Sequence, residues 1–139
     1  MKMELEAEPV LERGKRYLKV TRDREIVKIP FVSGFHYRMA IIRRIKAGLP
    51  WRGFFYPRDK VKRLVISEIK DNIREYKDPH YAVSKAFEDL INWRRTFAVR
   101  FAPLDDAFIR EIARHFPEIE EHIFLRKARE GMEKLERIV

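Results

Sequence analysis

From Ser33 to the end of the chain, apolar residues recur every three or four positions, and each stretch with this rhythm is bounded by serine, aspartate, glycine or proline. That period, punctuated in this way, commits the chain to short amphipathic helices joined by tight connections. The first stripe is Phe35, Met39, Ile42 and Ile45, with Ser33 placed to cap it and Gly48 and Pro50 ending it after about Ala47. Asp59 opens a second helix to about Tyr76, burying Val61, Leu64, Val65, Ile69 and Ile73. Asp78-Pro79 joins a capping side chain to a proline in the first turn. This third helix runs to about Phe97, with Val83, Phe87, Leu90 and Phe97 inward and Ala86 and Trp93 beside them. Asp105 or Asp106 begins a short fourth helix through Phe108, Ile112 and Phe116. Pro117 then restarts the chain as a long last helix, whose stripe is Ile119, Ile123, Ala128, Met132, Leu135 and Val139. Its spacing, close to 3.5 residues, suits a bundle or a coiled pairing. Gly131, inside that helix, weakens it by about 1 kcal/mol relative to alanine but lets a neighbour come close.

Before Ser33 the period changes to two. Leu18 and Val20 share one face of YLKVT, and Val27, Ile29 and Phe31 share one face of IVKIPFV, predicting a hairpin that turns at Arg22–Glu25 with Pro30 on an edge. Residues 1–14, interrupted by Pro9 and Gly14, read as a loose tail or short helix. The expected architecture is therefore mainly α: residues 15–139 form one helical domain, a bundle of four or five helices with short loops, preceded by a short N-terminal hairpin.

Composition narrows the function classes. Cysteine is absent, which excludes disulfides, thiolate metal sites and cysteine nucleophiles. No apolar run reaches the length of a membrane span, and MKMELEAEP lacks a signal-peptide core, so a cytoplasmic protein with no membrane partner is expected. Glutamine is absent, Asn72 and Asn92 are the only asparagines, and 38% of residues are charged, a composition that suggests a hyperthermophile.

No catalytic or cofactor-binding constellation emerges. Ser33, Ser67 and Ser84 lie in no nucleophile elbow, and Ser84-Lys85 lacks the Ser-x-x-Lys spacing. The carboxylate pairs Asp105-Asp106 and Glu120-Glu121 point about 100° apart on a helix and suit helix starts. No glycine pattern cradles a phosphate. His115, Glu118, Glu121 and His122 are the only metal-like cluster, and Pro117 interrupts the helix they would need. The expectation is a protein that is not an enzyme, with no metal and no cofactor.

Charge is the positive signal. Of the net +9, residues 36–63 hold +8: nine cations against Asp59 alone. The cations are Arg38, Arg43, Arg44, Lys46, Arg52, Arg58, Lys60, Lys62 and Arg63, and among them lie Tyr37, Trp51, Phe54, Phe55 and Tyr56. Cations neutralise phosphates, exposed aromatics stack on bases, and arginine, six of the nine, matches phosphate and base edges with its planar fork. Lys60, Lys62 and Arg63 also crowd the positive end of a helix dipole, a mild misfit. The alternative is structural: Trp51, Phe54 and Phe55 plug the end of the bundle, and the arginines pair with acids of the C-terminal helices. Both readings stand on sequence alone.

The stretch AIIRRIKAGLPWRGFFYPRDKVKRLV resembles the recognition helix and wing of excisionase- and MerR-like winged DNA-binding domains: a helix ending at Gly48-Leu49-Pro50, a basic aromatic segment Trp51–Tyr56, then a helix opened by Asp59. The resemblance implies DNA sooner than RNA, with Arg38, Arg43 and Arg44 facing a groove and Arg52 on the backbone. In size, composition and helix count the whole chain is similar to small helical-bundle proteins of hyperthermophilic archaea and their viruses, which implies a dimer acting through protein contacts. The function expected is thus a binding module for nucleic acid through residues 36–63. The alternative is a protein-interaction module or homodimeric adaptor sealed by the last helix.

Overall fold

The computed structural model describes residues 7–138, with side chains described to Lys134. It begins with a three-stranded antiparallel meander, β1 (Ala7–Glu12), β2 (Lys15–Arg22) and β3 (Glu25–Pro30), in that order across the sheet. The expected hairpin is β2–β3, paired Leu18 to Ile29 and Val20 to Val27 and turning between Arg22 and Glu25. The correction is β1: residues 7–12, expected as tail, pair with β2 from Ala7 opposite Val20 to Glu12 opposite Lys15. Arg13 and Gly14 make this turn with φ of 50° and 77°, the two left-handed residues of a tight hairpin. Pro9 is tolerated because β1 is an edge strand.

Five helices follow among the described residues: α1 (Phe35–Lys46), α2 (Arg58–Tyr76), α3 (Pro79–Phe97), α4 (Asp106–Ala113) and α5 (Glu121–Ile138). Asp78 caps α3 by accepting from the Tyr81 N–H at 3.1 Å, and Asp105 caps α4 through Phe108 N–H at 2.9 Å. Two expected caps differ. Gly34 rather than Ser33 precedes α1, with φ of 97° and no room for a Cβ against the Tyr37 ring. Pro57 rather than Asp59 precedes α2, and Asp59 sits within the first turn. The last helix starts at Glu121, not at Pro117, so His115, Glu118 and Glu120 lie in the connection after α4 and only Glu121 and His122 lie on a helix.

One hydrophobic core runs from the sheet through the bundle. α3 is its axis, burying Phe87, Leu90, Trp93 and Phe97 between α2 and α5. α1 is buried on two sides, by β2 and by the other helices, and hides Tyr37, Met39, Ala40, Ile41, Ile42 and Ile45. α5 lies along α3, with Phe124 and Ala128 buried and Gly131 seated on the α3 backbone at Ser84. Ile119 is buried too, while Leu135 and Val139 fall outside the described side chains. No helix of the described residues is long and apolar enough to cross a membrane.

Candidate nucleic-acid interface

The segment between α1 and α2 is built from the backbone outward. Gly48, with φ of 72°, closes α1 by donating to the Ile45 carbonyl at 3.0 Å. The chain then runs along the C-terminal end of α3, where Gly53 N–H donates to Phe97 O at 2.8 Å, Tyr56 N–H to Arg100 O at 2.8 Å, and Arg100 N–H to Phe54 O at 2.9 Å. Phe54-Phe55-Tyr56 is therefore extended and held at both ends, and alternate side chains point opposite ways. Phe54 is buried edge-on to Trp93 at 6.2 Å, and Tyr56 also meets Trp93 edge-on, at 5.6 Å. Phe55, between them, is 57% exposed. Trp51 packs half-buried against Phe97 at 6.2 Å. The plug reading is thus right for Trp51 and Phe54 and does not hold for Phe55. Tyr37 is enclosed in the core, donating its hydroxyl to Ala86 O at 2.8 Å, so it offers no surface.

The nine cations divide by location. Arg58 pairs with Glu111 of α4, and Lys62 lies 3.7 Å from the same carboxylate. These are the pairings with C-terminal acids that would remove charge from the surface. Arg38 lies over Phe31 and donates to Val32 O, lining a cavity of about 480 Å³ that also holds Glu68, Asp71 and Asp89. Lys46 donates to Thr21 O at 2.7 Å, beside the sheet. Arg52 donates to Thr96 O at 3.0 Å at the end of α3.

The other four converge. Arg43 and Arg44 of α1 face Lys60 and Arg63 of α2 across a groove of about 520 Å³ that also contains Tyr56 and His36. None of the four pairs with a carboxylate among the described residues. Arg43, Lys60 and Arg63 are exposed; Arg44 is half-buried, its guanidinium 4.0 Å from the Phe54 centroid and its Nε donating to Pro50 O. Burial pushes the Tyr56 phenol above its ordinary pKa, while Arg43, Arg44 and Arg63 each pull it down, the electrostatic signature of three guanidiniums around one hydroxyl. Burial outweighs them, so at neutral pH the groove presents a neutral hydroxyl donor among four cations.

Glu68 accepts from the His36 backbone N–H at 2.5 Å, and Asp71 binds His36 Nε2 at 2.7 Å and also pairs with Arg74. Burial pushes the Glu68 carboxyl above the usual range against the pull of His36, and burial likewise raises Asp89 against the pull of Lys85.

Three further residues act on the segment. Arg100 brackets the aromatic segment, its Nε donating to Gly53 O at 3.1 Å. His36 links the groove to the acidic cavity, and Glu111 decides which cations stay free. The placement of Arg100 beside Phe55, through the bridge between the two residues, is a tertiary fact. Comparison of the chain with protein-family models, curated proteins and solved structures gives no match.

Proposed function

We propose that the protein binds nucleic acid, with the groove between α1 and α2 as the phosphate site. The observation that carries this reading is the convergence of Arg43, Arg44, Lys60 and Arg63 without a carboxylate partner among the described residues. Four like charges held in one concavity repel each other, and an anion entering it relieves that repulsion. A surface carrying spare cations only for solubility would spread them. Here two of the same segment's cations share the carboxylate of Glu111 and four are left together.

The homodimer reading has less support. The inward face of α5 is occupied within the chain, with Phe124 against Phe87 at a centroid distance of 6.3 Å, Ala128 buried and Gly131 on Ser84, while Ile123 and Met132 of the expected stripe are half-buried against the core.

The test is fluorescence anisotropy with labelled DNA and RNA across a salt series. Four phosphate contacts predict a log–log slope of about −3 on a single strand, roughly a sixtyfold loss of affinity from about 50 to about 200 mM salt. Arg43→Glu with Arg63→Glu should abolish most of the binding, whereas Arg114→Glu, on the exposed end of α4, should not. Absence of binding at about 50 mM salt, or equal losses from the two reversals, would refute the proposal.

A further inference from the structure

We infer that the ligand is a single strand, its phosphates in the groove and an unpaired base stacked on Phe55. This inference rests on the nucleic-acid reading above and adds the class of strand.

The first reason is shape. Proteins that read duplex DNA commonly insert a helix with a bare face into a major groove about 12 Å wide. α1 has no bare face: β2 covers one side, the helices cover another, and half of its twelve residues are buried. Its free cations line a concavity shared with α2. A polyanion that meets all four must follow that concavity, which suits a single flexible backbone better than a stiff double helix.

The second reason is Phe55. Its ring is 57% exposed, yet its backbone is fixed by the hydrogen bonds of Phe54 and Tyr56 to Arg100. Binding to a platform already fixed loses little conformational freedom. Tyr56, its chain neighbour, lines the groove, and the Phe55 ring projects from the opposite face of the same extended segment, so a strand leaving the phosphate site reaches it by crossing that segment. Arg52 and Arg100 are moored to Thr96 O and Gly53 O around the same segment, supplying positive charge beyond the groove. In a duplex the base faces are already stacked on one another. A ring platform next to a phosphate site therefore matches unpaired bases, and every base has a face to offer, so the binding tolerates sequence.

Anisotropy on four probes tests this: a single strand of about twelve nucleotides, the corresponding duplex, an abasic strand of equal length and inorganic polyphosphate. The single strand should bind about tenfold or more tighter than the duplex. Phe55→Ala should weaken the single strand by about tenfold, leave the abasic strand unchanged and leave the salt slope unaltered. Because the ring is exposed, the variant should melt with the wild type, and Phe55→Trp should restore affinity. Duplex binding as tight as single-strand binding would overturn this inference while leaving the proposed function in place. So would a Phe55→Ala loss of equal size on the abasic strand. Failure of every nucleic-acid probe, with polyphosphate bound or not, would overturn both.

Discussion

Gly131→Ala measures how closely α5 is fitted to α3. A Cβ at this position would fall 2.8 Å from the Ser84 carbonyl carbon and 3.1 Å from the Glu88 nitrogen, and nearer still to the Ser84 oxygen. Ser84 C=O and Glu88 N–H are four residues apart in α3, so the methyl group would press on a helical hydrogen bond. Both obstacles are backbone, and no rotamer change clears them. A relaxed carbon–oxygen contact needs about 3.3 Å or more, so the helices must part by about an ångström. A gap of about 0.5–1 Å forfeits a quarter to a half of each dispersion contact across it. The neighbours that would lose contact include Phe124 on Phe87 and the buried Ala128. Overpacking costs about 1–3 kcal/mol, and a backbone obstacle places this site at the upper end. Against that, alanine gains about 1 kcal/mol in helix propensity. The net expectation is a loss of about 2 kcal/mol, or roughly 6–10 °C in Tm for a chain of this length. Thermal melts by circular dichroism and urea titration at constant m-value measure it. An alanine variant as stable as the wild type would refute the reasoning, since propensity would then have outweighed a clash that the helix spacing makes unavoidable.

Three further outcomes are expected. Burial raises the folded-state pKa of Glu68, so its destabilisation is absent below the unfolded carboxylate pKa of about 4.3 and grows as pH rises towards the folded value. Glu68→Gln keeps an acceptor for His36 N–H and should therefore gain Tm over the wild type at pH 7 but not at pH 4; an equal effect at both would refute this. Glu12 and Glu111, held below the usual range by Lys28 and Arg58, act oppositely, stabilising above the unfolded pKa and losing that contribution as pH falls. Glu111→Gln releases Arg58 and Lys62, so oligonucleotide binding should tighten at low salt and converge with the wild type once the Debye length falls to about 8 Å. Arg44→Lys should lower Tm by a few degrees and weaken binding, because lysine cannot both lie flat over Phe54 and donate to Pro50 O, whereas Arg43→Lys should leave Tm unchanged; melts of the two variants side by side decide it.

What the sequence made legible is what is settled within a few residues. Asp78-Pro79 and Asp105 mark helix starts because a cap needs only a side chain and an N–H three positions on. Gly131 reads as a close-approach site because its helix gains nothing else from a glycine. The misses are settled elsewhere. Ser33 and Asp59 are sound caps by residue type, but Tyr37 packing against Gly34 fixes where α1 begins, and Pro57 opens α2 first. β1 has a proline and acidic residues and forms because β2 offers a free edge. The fate of Arg58 and Lys62 depends on Glu111, about fifty residues away in the chain, which no local pattern encodes.

The basic aromatic segment also explains why stability and binding looked like rival readings. They are separated by depth, not by position. Phe54 and Trp51 are in or against the core, and Tyr37 is wholly within it. Directly above, Arg44 lies on Phe54 and the Lys60 ammonium lies 5.8 Å from the Tyr56 centroid, so rings that fill the core also support the cations. Such contacts contribute about 0.5–1 kcal/mol each at exposed sites, enough to offset part of the repulsion among the four charges. The same contacts hold the guanidinium and ammonium groups at fixed points, which lowers the entropy lost when a phosphate is bound. A segment rich in both residue types is what a small bundle needs to keep an unneutralised cationic groove while remaining folded.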